Sequence, residues 1–367
     1  MTVTDVRIDS AKPMATGKAW DARRAILVTL AVLGLIYLPF LLTERAVFGI
    51  PLSNGMLLNL GITQINLMLI FMLGALSLNF LTGCAGLISI GHGAFYAVGA
   101  MTGAIVGTQW GMPLPVVLVA AALVGAFAGI VAGLPSLRVR GLYFVLSTMA
   151  AHYIVIFIFQ EYQFAFFDVV GVPYTDPALG PLALDTPIRW YFFLLVLVIA
   201  VYWGLSNILT SREGRAMRAM HDHELAATAM GADVRVLRLK AFALSSAIAA
   251  VGGALYAYYL TNATSESFGI SFAIQFIAMI IIGGLGSLAG SLFGAAIWLL
   301  LPSLISGLAA NVGDAPAIVR VLLVDHRAQF VQALFGSLVI LLLIFAPGGL
   351  PDLSRKFGRL FSMGRGQ

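Results

Sequence analysis

The chain has 367 residues, of which 60% are hydrophobic and only 10% are charged, and its mean hydropathy is +0.98. Soluble domains carry about a quarter charged residues, so this composition excludes an ordinary soluble protein and indicates a surface that faces lipid. The net charge of +5 does not indicate a nucleic-acid partner, because the basic residues lie in short loops between apolar runs. The single cysteine, Cys84, excludes an intramolecular disulfide.

The first 24 residues carry charges throughout and are predicted to form a disordered cytoplasmic tail. After them, apolar runs close to the ~20 residues that cross a bilayer predict an all-α, polytopic membrane helix bundle of about ten transmembrane helices, with eight or nine as the alternative. The runs cover residues 26–43, 57–81, 93–108, 115–134, 141–160, 190–209, 241–262, 271–288, 289–306 and 329–346. No small-residue cleavage site follows the first run, which is therefore interpreted as an anchor and not as a removed signal peptide.

The positions of the basic residues predict the orientation of this bundle. With ten crossings and both the N- and C-termini in the cytoplasm, 17 of the 21 Lys and Arg residues fall on the cytoplasmic side. The resulting map has one transmembrane domain at residues 25–348, external loops at 161–189 and 307–328, a cytoplasmic loop at 211–240 and a cytoplasmic tail at 349–367. No charge falls inside a predicted crossing, so the sequence offers no carboxylate there for coupling to protons or sodium.

A glycine-rich segment separates two apolar runs at residues 82–92. Broken backbone at membrane depth is tolerated where protein or water covers it, and such breaks often line transport sites. The segment is therefore a candidate translocation pathway, and a tight turn at the membrane surface is the alternative. A second glycine-rich stretch, at 283–290, could be a helix–helix contact or a broken helix. The candidate pathway residues are Thr82, Gly83, Gly86, Ser89, Gly91, His92, Gly283, Gly284 and Gly286.

The loop at residues 211–240 holds the largest cluster of positive charge between crossings. Ser211 is predicted to cap a helix that Gly231 stops. The apolar residues of that helix share one face that would suit a partner groove, and a basic helix on the membrane surface is the alternative. Those residues are Ala216, Met220, Ala227 and Met230. The adjacent cluster at 221–224 lacks the spacing at which two histidines share a helix face, so no metal site is predicted.

The chain has no phosphate-binding loop, because its one Gly-Lys pair, Gly17-Lys18, has no glycine five positions earlier. If ATP drives transport, another polypeptide must bind it. No cofactor or metal is therefore predicted on this chain, and ATP and Mg are expected on a partner ATPase.

Four blocks of the sequence together point to one family: residues 78–100, 138–150 with the run Arg140-Gly-Leu-Tyr-Phe144, 211–257 and 282–302. They resemble the membrane subunits of bacterial ABC importers for branched-chain amino acids and related small solutes, and most closely the larger of the two permeases. The resemblance implies a multi-pass subunit of the bacterial inner membrane that is not itself an enzyme. It also implies a second permease subunit, two cytoplasmic ABC ATPases and a periplasmic solute-binding protein as partners, beside membrane lipid.

The resemblance further implies that residues 211–240 correspond to the coupling loop of these importers, whose usual pattern is E-A-A-x-x-x-G. Here the acid is displaced by one position, and the downstream I-x-L-P part of the pattern is absent. The residues implied to couple to the ATPase are Arg215, Arg218, Glu224, Ala226, Ala227 and Gly231. Residues 167–174 replace a Thr-Gly-Gly-rich external stretch, which leaves the solute open between a branched-chain amino acid, urea, an amide and an aromatic acid.

Alternating access driven by separate ATPases is the predicted mechanism. The alternative is an ion-coupled secondary transporter of small organic solutes, which would need a charged or polar cluster within a crossing. A membrane enzyme is the third class considered, and it would need convergent catalytic groups. The histidines that could serve such chemistry are scattered along the chain: His92, His152, His221, His223 and His326.

Overall fold

The computed structural model describes residues 46–47, 50–51, 61–139, 141–167, 171–174, 178–179, 182–310 and 327–345. The chain divides into two units, residues 1–52 and 53–367. The described part of the first unit is a short antiparallel pair of strands, β1 (Ala46–Val47) and β2 (Ile50–Pro51). The described part of the second unit is almost entirely helical, which agrees with the predicted all-α class.

Eleven helices make up the described part of the second unit. They are α1 Ile62–Asn79, α2 His92–Gly103, α3 Leu114–Gly133, α4 Leu142–Phe166, α5 Pro187–Thr210, α6 Arg212–Asp222, α7 Glu224–Ala229, α8 Val234–Leu260, α9 Ile270–Gly283, α10 Leu288–Ala310 and α11 Arg327–Phe345. Helix α1 continues as a π-helix through Phe80–Cys84, and α2 does so through Ala104–Gln109. A 3₁₀ turn, Leu134–Leu137, follows α3, and another, Ser265–Phe268, precedes α9.

Six helical stretches in the described residues are long and apolar enough to cross a membrane. They are Ile62–Cys84, Leu114–Leu137, Leu142–Phe166, Pro187–Thr210, Val234–Leu260 and Ser265–Gly283. The predicted runs from 57–81 onward each coincide with one of these stretches or with α2, α10 or α11, whereas the first run, 26–43, lies outside the described residues. The number of ten crossings and the side of the termini stay predictions.

Helix α8 begins earlier than its apolar run, at Val234. The Asp233 carboxylate caps it by accepting hydrogen bonds from the backbone N–H groups of Arg235 at 3.1 Å and Val236 at 3.3 Å. Its first two turns therefore carry basic residues, including Arg238, which the sequence analysis assigned to the loop. Capping explains the early start, because it satisfies N–H groups that would otherwise lack partners at the helix end.

Helix α8 packs along α1, α2 and α3 and forms the centre of the bundle. Glycines bring its backbone into direct contact with its neighbours. A Cβ atom on Gly99 of α2 would overlap the Ala250 carbonyl, and a Cβ atom on Gly253 of α8 would overlap the Tyr96 carbonyl. In lipid, such close packing holds helices together in place of the hydrophobic effect.

Aromatic rings fill the space between α1, α2, α8 and α9. The ring centroid of Phe272 lies 5.1–5.7 Å from those of Phe71, Tyr96, Tyr256, Phe268 and Phe276. Their tilted and edge-to-face arrangements are those that aromatic quadrupoles favour. The Tyr96 hydroxyl is satisfied inside this cluster, where it donates to the Ile70 carbonyl at 3.0 Å.

At one end of the bundle, β3 (Val172–Pro173) pairs antiparallel with β6 (Asn262–Ala263). The hydroxyl of the adjacent Tyr174 donates to the Ala100 carbonyl at 2.8 Å. Burial raises the pKa of Tyr174 well above its usual value, so the hydroxyl keeps its proton for this bond. A second short pair, β4 (Ala178–Leu179) with β5 (Leu182–Ala183), precedes α5. Residues 172–174 of the predicted external loop 161–189 are therefore held against the α8–α9 connection.

Candidate functional site at the loop end

Four connecting segments meet at the other end of the bundle, which we call the loop end. They are residues 85–91 between the π-helical end of α1 and α2, the turn Leu134–Leu137 after α3, residues 211–233 between α5 and α8, and residues 284–287 between α9 and α10. The backbone at Gly86 lies against the ring of His221, so that a Cβ atom there would be 2.7 Å from His221 Cδ2. The first glycine-rich segment thus lies beside the 211–240 loop, and it contacts the second where Gly83 meets Gly286.

The buried side chain of Asn79 joins the two glycine-rich segments. Its Nδ2 lies 2.6 Å from Ser291 Oγ, 2.9 Å from the Ser287 carbonyl oxygen and 3.2 Å from the Gly284 carbonyl oxygen. Its Oδ1 accepts a hydrogen bond from the Gly286 backbone N–H at 2.8 Å. One amide therefore satisfies both donors and acceptors of the turn between α9 and α10. The sequence analysis missed Asn79, although a polar residue at the end of an apolar run, next to a break, was an available signal.

The backbone of residues 283–290 forms a tight turn between two closely packed helices. Gly283 faces Gly290 so closely that a Cβ atom on either would overlap the other's carbonyl. Gly284 and Gly286 have φ values of 101° and 79°, a left-handed conformation that glycine adopts without strain. A Cβ atom on Gly83 would overlap the Gly286 nitrogen. The stretch is thus a turn and a helix–helix contact at once.

His92 lies in the core at the start of α2, where it joins three helices. Its Nε2 is 2.7 Å from Ser77 Oγ, and that hydroxyl donates its proton to the Gly74 carbonyl at 2.8 Å. The Ser77 hydroxyl and the His92 ring therefore share one hydrogen bond, whose direction depends on the tautomer of the imidazole. The Ser245 hydroxyl of α8 donates to the Ser77 carbonyl at 2.7 Å. These contacts link α1, α2 and α8.

The remaining candidate pathway residues lie in the glycine-rich segment at residues 82–92, between α1 and α2. The Thr82 hydroxyl donates to the Leu87 carbonyl at 3.2 Å, and Gly91 is pressed against the Thr148 carbonyl of α4. Ser89 is buried, and its hydroxyl has no hydrogen-bond partner among the described residues. The structure thus groups Gly83, Gly284 and Gly286 around Asn79 and places the 89–91 segment beside α4. That these residues line a pathway stays a prediction.

The 211–240 loop contains two short helices, α6 and α7. The predicted cap is confirmed, since Ser211 Oγ accepts a hydrogen bond from the Gly214 N–H at 3.3 Å. Gly231 ends the helical region with φ +85°, also as predicted. The prediction of one continuous helix is wrong, because His223 is extended (φ −149°, ψ 96°) and separates α6 from α7. This break turns Glu224 towards α8, where its Oε2 lies 2.8 Å from Arg238 Nη2.

The predicted partner-facing stripe is wrong for two of its four residues. Met220 and Ala227 are buried against the bundle, with exposed fractions of 5% and 3%. The apolar side of a short helix beside a bundle covers the bundle first, and Met217, at helical spacing from Met220, was the signal for that inner face. The most exposed large apolar side chains of the loop are Leu225, which the sequence analysis did not single out, and Met230, with exposed fractions of 83% and 89%.

The residues implied to couple to an ATPase lie at different depths. Arg215, Arg218, Ala226 and Gly231 are exposed, Glu224 is half-buried, and Ala227 is buried. Nη1 of Arg215 donates to the Thr210 carbonyl at 2.6 Å, which holds this guanidinium over the end of α5. Within the described ranges, no three His, Cys, Asp or Glu side chains come close enough together to hold a metal ion.

Comparison with known proteins places this architecture in a family. Residues 60–346 match the family described as branched-chain amino acid transport system, permease component. Two relatives named high-affinity branched-chain amino acid transport system permease protein LivM are each 27% identical to the chain. The one from Escherichia coli K12 aligns over 79% of this chain and 69% of its own length, and the one from Salmonella typhimurium LT2 over 78% and 69%.

A third relative, the probable branched-chain amino acid transport permease protein LivM of Methanocaldococcus jannaschii, is 31% identical over 44% of this chain and 46% of its own length. No solved structure gives a significant match. The family match begins just before α1 and extends through the end of α11, so it includes both glycine-rich turns and the two-helix loop. The chain belongs to the family of branched-chain amino acid transport system permeases.

Proposed function

We propose that this chain is the permease subunit of an ATP-driven ABC importer and that its solute is a branched-chain amino acid. The observation that carries the proposal is the family match over residues 60–346. The names of the relatives suggest the solute, and urea, amides and aromatic acids are the comparison compounds. ATP and Mg bind to separate ATPase subunits, because the chain has no phosphate-binding loop. An ion-coupled secondary transporter is not favoured.

The ATPase docks on the outer surface of α6 and α7. Leu225 and Met230 are the apolar anchors, because large apolar side chains exposed on a short loop fit a partner groove. Arg215 and Arg218 are exposed on α6, and their positive charge suits an acidic rim on the partner. The inner surface of the loop, with Met220 and Ala227, transmits force to the bundle instead of contacting the ATPase.

Movement of the loop can reach both glycine-rich segments, because its neighbours lie directly against the backbone of their glycines. His221 of α6 lies against Gly86, and Gly83 lies against Gly286. A shift of α6 when the ATPases close would thus displace the π-helical end of α1 and the α9–α10 turn together. The permease is then a helix bundle with two arrangements whose balance the nucleotide shifts, and the candidate residues at 82–92 and 283–286 border the pathway.

The chain works with a second permease subunit, two cytoplasmic ATPases and a periplasmic solute-binding protein in the bacterial inner membrane. Both termini lie in the cytoplasm, and residues 25–348 form the permease domain. The grouping of contacts supports this orientation: segments that the distribution of Lys and Arg assigns to the cytoplasm meet at the loop end, and residues 172–173 pair with 262–263 at the opposite end.

Uptake into proteoliposomes tests the class of transporter. The chain is reconstituted with its partner subunits, and leucine uptake is measured with ATP and binding protein, or with proton or sodium gradients and no ATP. We expect uptake with ATP only. Uptake by the chain alone, driven by an ion gradient, would refute the importer proposal. Competition with urea, acetamide and benzoate tests the solute class, and none of the three should displace leucine.

A methionine pair tests the docking surface. Met230→Ser removes an exposed apolar anchor from the loop end, and Met112→Ser removes a half-exposed methionine between α2 and α3 at the opposite end. We expect Met230→Ser to weaken binding of the ATPase to the permease roughly tenfold, as loss of an interface anchor does, and Met112→Ser to leave it within twofold. Equal binding by the two variants would show that the ATPase docks elsewhere.

A further inference from the structure

The guanidinium group of Arg238 contacts two elements of the loop end besides its own helix, α8. Nη2 lies 2.8 Å from Glu224 Oε2 at the start of α7. Nη1 donates to the Ser136 carbonyl, in the 3₁₀ turn that connects α3 to α4. One side chain therefore ties the docking helix to the turn between two transmembrane helices.

The chemistry of this contact requires arginine. A guanidinium is planar and presents donors in a rigid fork, so it can bind a carboxylate with one arm and a carbonyl with the other. A lysine ammonium keeps the charge but is a point donor on a flexible stem, and it cannot hold both acceptors in this geometry. The Ser136 side chain reinforces the turn, since its hydroxyl donates to the Gly133 carbonyl at 2.5 Å.

Burial separates this ion pair from the other one in the loop. The Arg238 and Glu224 side chains are 11% and 26% exposed, whereas Lys240 and Glu213, which pair between α8 and α6, are 49% and 54% exposed. Exposed ion pairs are screened and contribute little, while a partly buried pair holds its two elements in a fixed relation. Among the described residues, the less exposed pair positions the loop and the more exposed pair lies at its surface, and the second serves as a control.

We propose that Arg238 is a positioning residue for energy coupling, which makes α7 and the α3–α4 turn move as one body. This inference rests on the proposed function, since it assumes that an ATPase moves α7. The ATPase pulls on α7 through the exposed anchors, and the Glu224–Arg238–Ser136 link passes the displacement to α3 and α4. The contact of His221 with Gly86 acts on α1 and α2, so the loop reaches the bundle by two separate routes.

Conservative variants in the complete complex test this role. Arg238→Lys keeps the charge and loses the fork, and Glu224→Gln loses the ionic partner. We expect each to lower ATP-driven leucine uptake at least tenfold and to bring the ratio of solute-stimulated to basal ATP hydrolysis close to one. Because both residues act through one link, the double variant should be no worse than either single variant. The affinity of Arg238→Lys for the ATPase should change less than twofold, since Arg238 is buried beneath the docking surface.

The exposed pair provides the control. Lys240→Gln breaks this pair from α8, outside the docking surface, and should keep uptake within twofold of the unaltered complex. If the Arg238 and Glu224 variants also stay within that range while the unaltered complex imports leucine, the link is not part of coupling and the inference fails alone. If the unaltered complex neither imports leucine with ATP nor shows stimulated hydrolysis, the proposed function fails instead.

A distance measurement tests the link without using activity. Spin labels are placed on exposed Ala229 of α7 and Leu142 of α4, in a chain whose buried Cys84 is replaced by alanine. With the link intact, ATP should leave the distance between the labels unchanged, because the two elements move together. In Glu224→Gln, which also serves if Arg238→Lys does not assemble, ATP should shift or broaden it. An equal ATP-dependent shift in both chains would overturn the proposal.

Discussion

Two equally hydropathic helices of this bundle have opposite surroundings. The stretch Ile62–Cys84 has 72% of its most apolar window buried inside the protein, and Leu142–Phe166 has 22%. The first carries a glycine, a serine and an asparagine that its neighbours contact, whereas the second presents large side chains such as Phe157 outward. Hydropathy indicates that a helix enters the membrane, but it does not show which helices form the protein core, because that depends on close packing with neighbouring helices.

Glycines show the same contrast at closer range. Gly253 of α8 is pressed against the Tyr96 backbone, while at Gly204 of α5 no side chain or neighbouring element comes within 4 Å of the position where a Cβ would be. The two glycines stand in apolar helices of similar length, and no difference in residue type separates them. A glycine in a membrane helix is therefore a packing residue only where a second backbone reaches it.

The largest expected effect comes from filling a backbone contact. Gly253→Leu inserts a side chain where the Tyr96 carbonyl lies, so we expect no folded protein in detergent. Gly253→Ala should lower the free energy of unfolding by about 3 kcal/mol, because it overpacks the core. Gly204→Ala should be neutral or should stabilise by up to about 1 kcal/mol, because alanine favours the helix. Size-exclusion profiles and thermal unfolding curves measure the stability of the variants at both positions. Similar losses of stability at Gly253 and Gly204 would show that the two glycines do not differ in packing.

An aromatic pair comes next. Phe276→Ala leaves a cavity in the ring cluster between α1, α2, α8 and α9, and we expect a loss of about 3 kcal/mol in the free energy of unfolding. The Phe157 ring is 60% exposed, so lipid can fill the space that it leaves in Phe157→Ala. The free energy of unfolding should therefore change by less than about 0.5 kcal/mol. Unfolding of each variant in bicelles provides the comparison. Equal losses would mean that Phe157 packs against protein and not lipid.

A polar pair is expected to have an intermediate effect. Asn79→Ala leaves the Gly286 N–H without its partner, and an unsatisfied buried group costs about 1–3 kcal/mol. Asn207→Ala on α5 removes an exposed amide and should be nearly neutral. The same unfolding measurement applies, with hydrogen exchange at residues 284–287 as a second readout. Unchanged exchange there in Asn79→Ala would contradict the bracing role of this amide.

The smallest expected effect is that of a single hydroxyl. Ser245→Ala removes the hydrogen bond to the Ser77 carbonyl, and interhelical bonds of this kind contribute about 0.6 kcal/mol in membrane proteins. We expect a lowered unfolding free energy of that size and no change in assembly. A loss as large as that of Asn79→Ala would show that the contacts among His92, Ser77 and Ser245 form a cooperative network.

Periodicity and charge predicted the all-α class, the apolar runs, the Ser211 cap and the stop at Gly231, because each depends on local sequence. They did not predict the break at His223 or the inward direction of Met220, since both follow from contacts with the bundle. Arg238 was assigned to a loop, and its contacts with Glu224 and the Ser136 carbonyl span 14 and 102 residues. Such pairings depend on which helices become neighbours, and hydropathy carries no information about that.

The most direct test of the central claim is the rate of ATP hydrolysis by the complete complex in lipid, measured with and without leucine-loaded binding protein. A permease that passes movement between its solute pathway and the docking helices α6 and α7 predicts at least a severalfold stimulation by leucine, and loss of that stimulation in Met230→Ser. Equal rates with and without leucine, in a complex that still takes up the amino acid, would contradict the account.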